Sequence, residues 1–79
     1  MSPTVFTAKG FRFFFFSNEE ERLHIHVRAA AGEAKCWLEP EIEVAVRHGL
    51  SDRELNQALR LIKEHENEIR SFWQEHFER

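Results

Sequence analysis

The hydrophobic period of this chain changes once along its length, and that change fixes the fold class. Before Pro40 the apolar residues alternate or run together in short bursts, whereas from Leu50 they recur every three or four positions. A period of two belongs to a strand with one buried face, and a period near 3.6 to a helix. Leu23-His-Ile-His-Val-Arg-Ala29 alternates with Leu23, Ile25 and Val27 on one side. Glu33-Ala-Lys-Cys-Trp-Leu38 does the same with Ala34, Cys36 and Leu38, after the tight link Ala30-Ala-Gly32. Gly10 opens Phe11-Arg-Phe-Phe-Phe-Phe16, whose aromatic density favours a strand, and polar Ser17 to Arg22 forms a turn. Thr4 to Thr7 reads as a short first strand limited by Pro3. Residues 41–46 are ambiguous, with Ile42, Val44 and Val46 at spacing two before His48-Gly49 breaks the run.

Short links between successive strands imply an antiparallel meander. The expectation is therefore a single α+β domain over 1–79. Residues 1–46 supply a three- or four-stranded antiparallel sheet, and 50–79 one long C-terminal helix, straight or bent, on one face. Ser51-Asp-Arg-Glu54 is a capping box, preceded by Leu50 at the hydrophobic-staple position. Leu55, Ala58, Leu59, Ile62, Ile69, Phe72 and Trp73 share one stripe, interrupted by His65 and Glu66. A helix of roughly 25 residues would be about 38 Å long, against about 20 Å for a six-residue strand. The helix should overhang the sheet, and the overhang carries Phe72, Trp73 and Phe77. Either the helix bends back near His65, or these three form an interface with a second chain.

Composition bounds the rest. The chain has 79 residues, 42% of them hydrophobic, with eight Phe and two Trp, so it can fold, yet a domain this small buries only about 60% of its unfolded surface. A single cysteine excludes an internal disulfide and a cysteine-built zinc site. The longest apolar run, Phe13 to Phe16, is far shorter than the ~18 residues of a membrane span. Met1-Ser-Pro-Thr4 has no signal-peptide character. A soluble cytoplasmic protein with no membrane partner and no cofactor is expected. The net charge of −3 is uneven: residues 1–40 hold five basic and five acidic side chains, and 41–79 hold six and nine. The acidity belongs to the C-terminal half.

One helix covers one face of a small sheet, which leaves the other open. If Phe11, Phe13 and Phe15 join Leu23, Ile25, Val27, Ala34, Cys36 and Leu38 inside, the outer face carries Arg12, Phe14 and Phe16, then His24, His26 and Arg28, then Glu33, Lys35 and Trp37. Aromatics interleaved with cations suit stacking on unpaired bases while Arg and Lys hold phosphates. The same residues equally suit a partner protein or a second protomer.

His24 and His26 point the same way on a strand, about 7 Å apart along it. Together they are candidates for two metal ligands, with Glu33 the nearest third, or for an acid–base pair acting on RNA. Arg28 or Arg12 would then stabilise charge on phosphorus. The plainer account makes both histidines edge or interface residues packed on Phe14 and Trp37. No nucleophile constellation, phosphate loop or dinucleotide fingerprint occurs.

Thr4-Val-Phe6, Gly10 to Asn18, His24-Ile-His-Val27, Glu33 to Leu38, Gly49-Leu-Ser51 with Glu54-Leu55, and a helix ending near Trp73 resemble the small bacterial domain-of-unknown-function 4160 family over nearly the whole chain. Members of that family often have Pro before the first histidine, where this chain has Leu23. The resemblance implies no chemistry. It does imply a gene that adjoins one for another small protein, in pairs suggested to be toxin–antitoxin modules. The expectation is thus a protein-interaction component of such a pair, with RNA binding or endoribonuclease activity on the Arg/His/aromatic face as the alternative.

Overall fold

The computed structural model describes residues 4–15 and 22–77. In chain order they form β1 (Thr4–Ala8), β2 (Phe11–Phe14), β3 (His24–Arg28), β4 (Glu33–Trp37), β5 (Glu43–His48), α1 (Asp52–Glu64) and α2 (Glu66–Phe77). Each strand pairs antiparallel with the one before it, giving a meander in the order β1 to β5. The α+β class and the meander are as expected, but the sheet has five strands rather than three or four. The β1–β2 hairpin closes through Lys9 and Gly10, both at positive φ (51° and 83°), the geometry of a tight two-residue turn that matches strand twist. The ambiguous 41–46 segment belongs to the strands: its β-branched residues build β5 on the far edge. Most of the expected 17–22 turn lies outside the described residues.

Both edge strands are bulged. In β1 the register slips between Thr4 and Phe6, and in β5 one extra residue, Ala45, falls between Val44 opposite Cys36 and Val46 opposite Lys35. The second bulge reverses the alternation. Val44 packs against the core, while Val46 turns outward and is 57% exposed. At the other end of β5, Gly32 lies so close to the His48 carbonyl and to Gly49 that a Cβ there would collide with backbone. Two turns thus meet glycine to glycine and set where α1 begins.

The expected capping box is formed. Ser51 Oγ accepts from the Glu54 N–H (3.1 Å), and Glu54 Oε1 accepts from the Ser51 N–H (2.9 Å). These bonds favour the ionised carboxylate and lower the Glu54 pKa below its ordinary value. Arg47 at the end of β5 pairs with Asp52 in the first turn.

The expected single helix is two helices. At His65 the backbone leaves helical geometry (φ −108°, ψ 19°), and the His65 ring Nδ1 donates to the Leu61 carbonyl, which also accepts the His65 N–H. A side chain competing for a helical carbonyl is a recognised cause of kinking. The displaced ring stacks on Phe6 of β1 at 4.0 Å. α2 is thereby folded back onto the sheet, and Ile69 and Trp73 become core residues beside Phe13, Phe15, Ile25, Cys36, Leu38 and Ile62. The overhang is absent, since Trp73 is 3% exposed and meets Phe15 edge-on at 5.2 Å. Phe72 is half-buried against Phe15 and stacked on His76. The Phe77 side chain lies outside the described residues. None of the described helices is long and apolar enough to cross a membrane.

Candidate functional site

Strand register places the outer-face side chains in three rows. Thr7, Arg12, Arg28, Glu33 and His48 form the first; Thr4, Phe14, His26, Lys35 and Val46 the second; His24, Trp37 and Glu43 the third. Arg12, Phe14, His26, Arg28, Lys35 and Trp37 therefore share one face, as the alternation predicts. Phe16 lies outside the described residues.

The two aromatics in these rows have opposite fates. Phe14 is only 2% exposed, because the chain's own side chains roof it. The Arg12 guanidinium stands 4.6 Å from its ring centre, that of Arg28 5.7 Å, and the His26 ring stacks at 5.5 Å. Arg12 and Arg28 face each other across β2 and β3, and like charges in that position repel. Each is drawn toward the neighbouring strand: Arg12 Nε donates to Thr4 Oγ1 (2.8 Å), and Arg28 lies 3.4 Å from the Glu33 carboxylate. The ring between them offers both cations a negative π face. Phe14 is thus corrected from a surface ring to a covered one.

Trp37 remains half-exposed. Arg22 lies over it at 4.1 Å and Lys35 Nζ at 4.6 Å. Arg22 is held by the Glu39 carbonyl (2.9 Å) and approaches Glu43 (3.9 Å). Beside this group, opposite Lys35, stands Val46, the one exposed large hydrophobic among the described residues. Arg22 was assigned to a turn, yet it has the same parity as His24, His26 and Arg28, and that spacing places it on this face. Nothing in the sequence marks Val46, because a bulge leaves no trace in the apolar pattern.

The histidine pair is brought together, with ring centres 5.1 Å apart, but His24 is 1% exposed. Its Nδ1 lies 2.7 Å from the Arg22 carbonyl, which can only accept, so that nitrogen carries the proton. The ring also meets Trp37 and Trp73 edge-on at 5.5 and 5.7 Å. His24 thus keeps its outer-face register but is a buried packing residue rather than an open one. Glu33, the expected third ligand, is opposite Arg28 and paired with it. Among the described residues no three His, Cys, Asp or Glu side chains converge to hold a metal. Cys36 points inward between Lys35 and Trp37, and burial pushes its thiol up to about 11.

Residues 10–74 fit the family model described as "Domain of unknown function (DUF4160)". No curated protein and no solved structure matches the chain.

Proposed function

The chain belongs to the DUF4160 family, and since that membership assigns no activity, we propose from its surface that it is a protein-binding module. The docking surface is the Trp37 half of the outer sheet face, and the partner is the product of an adjoining gene in a two-gene unit of the toxin–antitoxin type. The observation that carries this reading is the cluster of Trp37, Arg22, Lys35 and exposed Val46 on the outer face of the sheet. Trp and Arg are the residues that most often anchor protein interfaces, and an exposed aliphatic beside them adds apolar area. Among the described residues Arg12, Arg22, Arg28 and Lys35 outnumber Glu33 and Glu43 on the face, which selects an acidic partner surface and speeds its encounter. Docking uses the face rather than an edge, because bulges blunt both edge strands.

Co-expression with the adjoining gene's product tests this. The two chains should co-elute at micromolar concentration, and Arg22→Glu with Lys35→Glu should weaken the complex by at least about tenfold. Separate elution of the two folded chains would remove the proposal.

RNA binding is the second reading, favoured by the same cations. It is the weaker because stacking on successive bases requires open rings, and with Phe14 covered the described part of the face offers Trp37 alone. Salt-dependent retention of single-stranded RNA that is lost in Arg12→Ala would favour it over the protein partner.

A further inference from the structure

On the helix side of the sheet, away from the outer face, a groove of about 590 Å³ runs between the β4–β5 connection and α1. Its floor is apolar, made by Leu38, Pro40, Ile42 and Leu59. Along one wall α1 presents Asn56, Arg60 and Lys63, which share a stripe with Leu59 at helical spacing. Its end is closed by Arg70, which bonds Glu66 (2.9 Å) and the Leu38 carbonyl (3.2 Å) and so ties α2 to the end of β4. Two carboxylates also line it, Glu66, which is engaged by Arg70, and Glu41.

The cations differ in what they already do. Arg70 is spent on Glu66, Leu38 and, at 3.9 Å, Glu39. Among the described residues Arg60 and Lys63 meet no carboxylate within ion-pair distance, although Glu64 lies one turn beyond Arg60 on the same helix. They flank an apolar floor with their donors unspent, and the Asn56 amide stands one turn before Arg60. A volume of this size lies within the range of small-molecule sites, which pair an apolar lining with a few placed polar groups.

We propose that this groove binds a small monocarboxylate with an aliphatic tail. The carboxylate would sit at Arg60 and Lys63, and the tail would lie on Leu38, Ile42 and Leu59. An anionic head satisfies the two cations, a hydrocarbon tail removes the floor from water, and Glu41 in the lining disfavours a second negative charge. The site is independent of the outer face, so partner binding can fail while this site stands, and the reverse.

Octanoate, used below its micelle concentration, is the probe. In amide-resolved NMR titration it should shift Leu38, Glu41, Ile42, Leu59, Arg60 and Lys63 saturably, with a dissociation constant of about 1 mM. Octan-1-ol, which has the same tail and no charge, should bind at least about fivefold more weakly. The exposed double variant Arg60→Gln/Lys63→Gln, checked for an unchanged spectrum, should lose octanoate affinity by a similar factor. Any of three results overturns the proposal: no saturable shifts, shifts centred outside the groove, or equal affinity for the alcohol or by the double variant.

Discussion

Phe14 and Trp37 occupy neighbouring rows of one sheet face, and each lies within reach of two cations, yet the first is sealed and the second half-open. The difference lies in position. Phe14 lies in the middle of the three rows, so Arg12, Arg28 and His26 close over it from its own and the next strand. Trp37 lies in the last row, where Arg22 and Lys35 approach it, His24 meets it edge-on and the next strand contributes Glu43. A cation above a ring in the middle of a sheet therefore completes the fold. A cation beside a ring at its margin leaves a surface on which something else can dock.

Removing each ring tests that contrast most directly. Phe14→Ala should cost about 3–5 kcal/mol in urea denaturation, as for a fully buried ring, which approaches the whole stability of a small domain. A cost below about 1.5 kcal/mol would mean that the roof of cations shields nothing. Trp37→Ala should cost less stability, about 1–2 kcal/mol for a half-buried ring, while weakening the proposed protein complex by about 2 kcal/mol, or roughly thirtyfold. If the complex is unchanged, the open half of the face is not the docking surface.

The sequence made the inner face legible and the outer face only in part. Alternation placed Phe13, Ile25, Val27 and Cys36 inside, and the capping box located the start of α1 to the residue. Parity also grouped Arg12, Phe14, His26, Arg28, Lys35 and Trp37 correctly, since side-chain direction follows from a period of two. It carries no information on what lies above each residue. His24 is packed among His26, Trp37 and Trp73, and Trp73 belongs to the helix that follows the turn at His65. That turn shows in the sequence as a polar break in an apolar stripe, which fits a bent helix as well as a straight one. The outward Val46 depends on the extra Ala45, and no residue type there signals a bulge.

Arg22 gives the smallest effect and the finest division between the two halves. On Phe14 the cations belong to a roof that includes Arg12, Arg28 and His26, so the loss of one leaves the others in place. On Trp37, Arg22 is the closer of two cations, and it also bonds the Glu39 carbonyl, fixing the approach to β3. Arg22→Ala should therefore cost about 0.5–1 kcal/mol, the worth of an exposed cation–π contact. It should also bare one side of the indole. In a Trp73→Phe background, where Trp37 is the remaining tryptophan, acrylamide quenching should rise in Arg22→Ala and stay constant in Arg12→Ala, whose guanidinium belongs to Phe14. Equal quenching in both variants would show that the cations serve the two rings alike, and the distinction between a sealed half and an open half would not hold.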